Sequence, residues 1–436
     1  MINYDHHSEN GAQVVAEGLA NTEIVEGLVA GDSKAILDLL QMVAPEWAEV
    51  TVGELQKDLL TGGYSGAALY KISSSSAKPP PVVVRVSGAG ISTPVTKLFF
   101  QSSDPGMPAA ALKAWGIGAT HEDSYCLDDA RFPQVSVTEF VHGKTGDADL
   151  MNGVDALAYC RAMGKAVAWM HAQDTTWFDQ GLGKNEEQTA VKTVDDPGER
   201  AEILKLGRYD TYGKYFMDTL VTALKTDGCM KDVAEIGQRI FEMLEPDTLM
   251  GRLVVGHGDL KYDNTMIRET STPQDPQIVL IDYDRVMRMT AAADLGAYLH
   301  DGETKKYPSL ANRRAMAAGY IEGCRLAGFD STSLGRCGVD EVVLDMEVGL
   351  LMRGLWVSTI MTTLFPHLGW VVEIIREGVS RAADQLVRAR SDERLREKIL
   401  QKGSSGVVGK GFAVRLMLRA LAAGVESMIK GKSPRK

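Results

Sequence analysis

Residues 255–264 read Val255-Gly256-His257-Gly258-Asp259-Leu260-Lys261-Tyr262-Asp263-Asn264, and residues 279–284 read Val279-Leu280-Ile281-Asp282-Tyr283-Asp284. Asp259 and Asn264 frame a short loop, and Asp282 ends an apolar run that reads as a strand. Between them, Thr265-Met266-Ile267-Arg268 and Gln277-Ile278-Val279-Leu280 predict two strands joined by a polar turn, Glu269 to Pro276. Such a hairpin brings Asn264 and Asp282 side by side at one end, near Asp259.

Phosphoryl transfer needs this set. One carboxylate orients the attacking hydroxyl, and oxygen ligands hold the magnesium bound to ATP. The spacing H-x-D-x-x-x-x-N with a later I-D is the catalytic signature of kinase-like folds. It makes Asp259 the candidate catalytic residue and Asn264 and Asp282 the candidate metal ligands. A polar loop whose Asp and Asn merely cap turns would not account for both spacing and order. With glycine after the histidine, the motif resembles the aminoglycoside phosphotransferase and choline/ethanolamine kinase superfamily rather than protein kinases.

Working outward, Gly62-Gly63-Tyr64-Ser65-Gly66 lies between two predicted strands, and glycines there let backbone amides approach a polyphosphate. Alone, such a turn is an ordinary hairpin. After a Ser/Pro-rich linker comes Val82-Val83-Val84-Arg85-Val86, an apolar strand with one cation. Kinases carry a phosphate-gripping basic residue on that strand, normally lysine. The choline/ethanolamine kinases resemble this chain in using arginine, which implies that role for Arg85. Thr138-Glu139-Phe140-Val141 is similar to the hinge between kinase lobes, so the backbone at Glu139 and Val141 would hydrogen-bond adenine; an edge strand is the other reading. The resemblance thus implies a nucleotide site of Gly62, Gly63, Ser65, Arg85, Glu139 and Val141. It also makes Asp294, in Ala293-Asp294-Leu295-Gly296, a brace of the catalytic region, with a helix N-cap as the alternative.

The chain departs from the family at two points. A helix after Arg85 should supply a pairing glutamate, yet residues 86–120 hold no glutamate and a single acid, Asp104. In the acceptor pocket, Asp301 and Trp356 match a family acid and a family tryptophan. Arg285 and Arg353, however, stand where aromatic residues are expected. Two arginines near a cation site oppose choline by like-charge repulsion, so a different, even anionic, acceptor stays open.

Elsewhere the sequence excludes more than it assigns. Net charge −11 argues against general nucleic-acid binding. Five scattered cysteines without C-x-x-C suggest reduced thiols, not a disulfide framework. Gly143-Lys144-Thr145 looks like the end of a phosphate-binding loop but lacks the glycine, strand and helix that motif requires. Ala156 to Gln173 predicts a helix with Leu157, Cys160, Met163, Val167 and Met170 on its apolar face, and His171 in a helix-end or core role. A similar pattern near residues 35–43 places Ala35, Ile36, Leu39, Leu40, Met42 and Val43 toward a core. Neither a secretion-signal pattern nor an apolar run of membrane-spanning length stands out, so the expectation is a soluble, cytoplasmic protein. The tail from Lys402 is basic; it reads as a docked or solvated helix, with contact to an anionic membrane as the alternative.

The fold implied is α+β and two-lobed, protein-kinase-like: residues 1–140 a small nucleotide-binding lobe with an antiparallel sheet, residues 141–401 a larger, mainly helical lobe, and 402–436 the tail. The function implied is ATP- and Mg2+-dependent phosphorylation of a hydroxyl on a small molecule, nearest to an amino alcohol. The alternatives are an aminoglycoside-phosphotransferase-like kinase with another acceptor, or a nucleotide-binding pseudokinase. The expected partner is the small-molecule acceptor, not nucleic acid, and a homodimer is left open.

Overall fold

The computed structural model describes residues 24–60, 68–86, 135–146, 153–172, 236–282, 287–300, 307–328, 338–364 and 369–404, apart from a few positions within them. The chain divides into two compact units, Met1–His142 and Gly143–Lys436.

In the first unit, helix α1 (Ser33–Val43) precedes four strands, β1 (Leu55–Leu60), β2 (Ala68–Ser74), β3 (Val82–Val86) and β4 (Val135–Glu139). They form an antiparallel sheet in the order β1-β2-β3-β4. Side chains alternate across a strand. Val82, Val84 and Val86 of β3 and Tyr70 and Ile72 of β2 therefore enter the core, while Val83 and Arg85 stay half-buried on the other face. Helix α1 covers the buried face with Ile36, Leu39 and Leu40, joined by Trp47, all fully buried. Each such side chain contributes roughly 1.5–3 kcal/mol of burial. The Asp32 carboxylate starts the helix by accepting the Ala35 N–H at 2.8 Å.

The second unit begins with β5 (Gly143–Thr145) and α2 (Ala156–His171). Strands β6 (Leu253–Gly256), β7 (Thr265–Arg268), β8 (Ile278–Leu280) and β9 (Met287–Thr290) follow. The order β5-β7-β8 makes one small antiparallel sheet, and β6 pairs with β9 in another. Helices α3 (Ala291–Ala297), α4 (Leu310–Leu326), α5 (Val339–Leu364), α6 (Gly369–Ala389) and α7 (Glu393–Lys402) complete the unit. Helices α2 and α4 meet backbone to backbone. A β-carbon on Gly164 would run into the Met316 carbonyl, and one on Gly319 into the Arg161 carbonyl.

Two core expectations need correction. Met42 is 43% and Leu157 54% exposed. Each sits about 120° around its helix from the centre of the buried arc, at Ile36 and Met163 respectively. Leu37 and Tyr159 fill those arcs instead.

Where α4, α5 and α7 converge, Arg313 and Glu347 are fully buried and paired at 3.0 Å. The Tyr307 hydroxyl donates to the same Glu347 oxygen. The N–H and hydroxyl of Ser404 donate to the other oxygen at 2.9 and 2.8 Å. Arg313 also donates to the Leu400 carbonyl at 2.5 Å, so the buried charges are satisfied from several directions. Among the described residues, no helix is long and apolar enough to cross a membrane. The basic tail beyond residue 404 lies outside the described residues.

Candidate active site

Strand β6 delivers the chain to the loop that carries Asp259. The loop is held from beneath by one side chain, Asp294 of α3, whose two oxygens accept the backbone N–H groups of His257 and Gly258 at 2.7 and 3.1 Å. Gly258 has φ 74°, a left-handed conformation that costs most side chains energy. Glycine between the histidine and the aspartate is therefore a backbone requirement. Leu260 and Tyr262, 1% and 2% exposed, anchor the far side of the loop in the core. His257 Nε2 bonds the Ile281 carbonyl at 2.8 Å, tying the loop to the residue just before Asp282.

Asp294 is the brace expected from sequence and not a helix N-cap, because Thr290 occupies that position of α3. It is itself held by His171 Nε2 at 3.1 Å, while His171 Nδ1 meets the Tyr320 hydroxyl at 2.9 Å. Burial alone would raise the Asp294 carboxyl. The hydrogen bond from His171, with the N–H of His257, outweighs it and holds the group below its ordinary value.

Asn264 and Asp282 come together through the β7–β8 hairpin. Thr265 faces Leu280 in its register, and the Asn264 carbonyl accepts the Ile281 N–H at 2.9 Å. The buried Asn264 side chain donates Nδ2 to the Asp259 carbonyl oxygen at 2.8 Å and to Asp259 Oδ2 at 3.3 Å. Its amide nitrogen is committed to the loop, which makes the amide oxygen the atom suited to a hard cation. Asp282 is exposed with φ 63°, a non-glycine residue in the left-handed region. Such outliers concentrate where function over-determines the backbone. Among the described residues, no group of three or more His, Cys, Asp or Glu is arranged to hold a metal. One amide and one carboxylate oxygen still fit magnesium, which takes few protein ligands and completes its shell with phosphates and water.

Two cations flank Asp259. Arg353 Nη2 of α5 lies 3.2 Å from Oδ1, and Lys261 Nζ lies 3.4 Å from Oδ2. The three side chains are 14%, 28% and 16% exposed for Arg353, Lys261 and Asp259. Sequence reasoning marked Arg353 as a replaced aromatic residue but did not foresee its contact with Asp259, and it passed over Lys261. For Lys261 the signal was present, a cation two residues after the candidate catalytic aspartate.

The remaining site residues fall as follows. Arg85 sits on β3 opposite Leu69 and Ser136, on the half-buried face of the sheet. Glu139 ends β4, the edge strand of that sheet, paired with Val82; Val141 is buried at 4% exposure. Trp356 lies within α5. Gly62, Gly63, Ser65, Arg285 and Asp301 lie outside the described residues. Gly143-Lys144-Thr145 forms β5, a strand edge-paired with β7, and not a phosphate-binding loop.

A model of the phosphotransferase enzyme family matches residues 99–329, just over half of the chain and inclusive of Asp259, Asn264 and Asp282. No curated protein matches. Among solved structures, the chain is similar to an ethanolamine kinase from Plasmodium vivax, with TM-score 0.50 and 12% identity over 96% of this chain and 95% of that one. It is also similar to a choline kinase from Cryptosporidium parvum Iowa II, with TM-score 0.48 and 14% identity over 87% and 100%. A choline/ethanolamine kinase family protein from Mesorhizobium loti gives TM-score 0.44 and 13% identity over 79% and 92%. The first likeness shows the fold, α+β and two-lobed in the protein-kinase manner.

Proposed function

The chain belongs to the phosphotransferase enzyme family, and from that premise we propose that it transfers the γ-phosphoryl group of ATP to a hydroxyl of a small molecule. The observation that carries this reading is the joining of Asp259, Asn264 and Asp282 by one hairpin and one braced loop.

In this mechanism Asp259 orients the acceptor hydroxyl and takes its proton as the oxygen attacks phosphorus. The bond from that oxygen to the γ-phosphorus forms, the bond to the β-phosphate oxygen breaks, and ADP leaves. Asn264 and Asp282 would hold magnesium, which when bound neutralises phosphate charge. Lys261 adds a fixed cation beside Asp259, where negative charge moves during transfer. Arg85 is the proposed grip on the nucleotide phosphates, and the backbone of Glu139 and Val141 the proposed contact with adenine. Little covalent work falls to the protein; position and charge carry the rate.

Two readings of the acceptor differ in their support. An amino alcohol follows from the resemblance to choline/ethanolamine kinases. A different small molecule is favoured by the arginine at Asp259, since a guanidinium there repels an ammonium. A pseudokinase is disfavoured by the intact Asp259, Asn264 and Asp282.

The test is ADP release from Mg–ATP with choline, ethanolamine, a panel of other alcohols and no acceptor, with Asp259→Asn as blank. Acceptor-dependent ADP above the blank supports a kinase. ATP binding with no release from any acceptor moves the assignment to the pseudokinase.

A further inference from the structure

We propose that Tyr320, with Arg252 behind it, is a positioning residue for phosphoryl transfer. It fixes His171 as a neutral imidazole with its one proton on Nε2, and through Asp294 it sets the loop that carries Asp259. The inference rests on the phosphotransferase reading and adds to it a residue that the motif does not contain.

The two ends of this buried chain have fixed polarity. Arg252 at one end can only donate, and Asp294, held in its ionised form at the other, can only accept. Arg252 Nη2 lies 3.4 Å from the Tyr320 hydroxyl, which lies 2.9 Å from His171 Nδ1, and His171 Nε2 lies 3.1 Å from Asp294 Oδ2. Between those ends stand one hydroxyl proton and one imidazole proton. All three contacts become hydrogen bonds in a single arrangement. Arg252 donates to the hydroxyl oxygen, the hydroxyl donates to Nδ1, and Nε2–H donates to Asp294. The tautomer is therefore settled from α4. Gly164 of α2 lets the Tyr320 backbone close in, since a β-carbon there would stand 2.7 Å from the Tyr320 nitrogen.

His171 faces Asp294 of α3, Tyr320 of α4, Arg252 ahead of β6 and His257 of the loop, and Cys324 of α4 stands behind Tyr320. An imidazolium would present a second N–H to Tyr320. The hydroxyl would then have to turn its own proton away, with the Arg252 N–H on one side and the Cys324 thiol, a weak acceptor, on the other. Arg252 and Tyr320 together oppose the charged ring. That matters to the loop because Asp294 Oδ2 is shared. It accepts from His171 and from the His257 N–H at 2.7 Å, while Oδ1 takes the Gly258 N–H. A charged ring pulls harder on Oδ2 and weakens its hold on the loop, two residues before Asp259.

The experiment compares the wild type with Tyr320→Phe, which removes only the hydroxyl. Long-range nitrogen–proton NMR of the full chain reads the tautomer, with the His171 signals identified by their loss in His171→Gln. ADP release from Mg–ATP, with the most active alcohol as acceptor, reads kcat and KM from pH 6 to pH 9. Wild-type His171 should stay in the neutral Nε2–H form across that range. In Tyr320→Phe, water fills the place of the hydroxyl and tolerates either form of the ring. The imidazole should then titrate, and kcat should gain an acid limb as pH falls through the ordinary histidine value of 6.5. At the acid end kcat should be down about 10-fold while KM for Mg–ATP changes less than about twofold.

An Nδ1–H tautomer or an imidazolium in the wild type at neutral pH overturns the proposal, whether or not the variant folds. So does a folded Tyr320→Phe whose kcat and pH profile match the wild type. A variant that loses kcat by one factor at every pH, the mark of a loosened core, overturns it too. If the wild type turns over no acceptor, the phosphotransferase reading falls and the role of Tyr320 in transfer falls with it, whatever the nitrogen spectra show.

Discussion

His171 Nε2 lies 3.1 Å from Asp294 Oδ2, with both side chains sealed from solvent. The contact extends a buried chain from Arg252, through the Tyr320 hydroxyl at 3.4 Å and His171, to the carboxylate that holds the loop carrying Asp259. Burial lowers the His171 imidazole below its ordinary value, despite the neighbouring carboxylate, and raises the Tyr320 phenol well above its own. The network assigns a neutral imidazole that donates from Nε2 to Asp294 and accepts at Nδ1 from Tyr320.

These directions set a pH dependence of stability. Below pH 6.5, the ordinary histidine value, the unfolded chain takes up a proton at residue 171 before the folded one does, so stability falls. Asp294, held below 3.8, adds a second loss as pH drops through the folded value of its carboxyl. Urea unfolding from pH 7 to pH 2 should show an unfolding free energy that declines by up to about 1.4 kcal/mol per pH unit for each group, first from His171 below 6.5 and then from Asp294 below 3.8. His171→Gln should flatten the upper part of that slope; an unchanged slope would remove His171 as its source.

Asp259→Asn keeps the shape of the side chain and removes the proposed base. Turnover should fall by about 10²–10⁴-fold. The unfolding free energy should fall by about 1–3 kcal/mol, since Arg353 and Lys261 are mostly buried and lose their carboxylate. ADP release alongside unfolding reads both, and full activity would take Asp259 out of the mechanism.

Asp282 separates stability from activity. Its φ of 63° suits glycine better than alanine. Asp282→Gly should therefore be about 1 kcal/mol more stable than Asp282→Ala, while both lose turnover with the carboxylate. The reverse order of unfolding midpoints would show that strain at this residue does not govern its stability.

Gly319→Ala tests the close approach of α2 and α4. The added methyl meets the Arg161 carbonyl, which a rotamer change cannot relieve. Thermal unfolding should show a loss of about 1–3 kcal/mol. A neutral result would mean that the two helices separate freely.

What the sequence revealed was mostly local. The strands Thr265–Arg268 and Val82–Val86 stand where alternation and turn residues put them, because both signals act within a few positions. The hairpin brings Asn264 beside Asp282 for the same reason. Legibility fails where distant segments meet. The pairing of β6 with β9 joins strands separated by the whole β7–β8 hairpin, so no short turn signals it. The centre of a buried helical arc depends on the partner surface, hence the misplaced Met42 and Leu157. An arginine among apolar residues on α5 signals an unusual site, but only the packing of α5 directs it to Asp259.

That packing is adjusted from the end of the described chain. Glu347 precedes Arg353 by six residues, about 9 Å along α5, and is clasped by Arg313, Tyr307 and Ser404. Helix α5 cannot slide or turn without stripping a sealed carboxylate of its donors. Ser404 therefore helps lock the helix from which the Arg353 guanidinium meets Asp259, although it sits at the far end of the described chain.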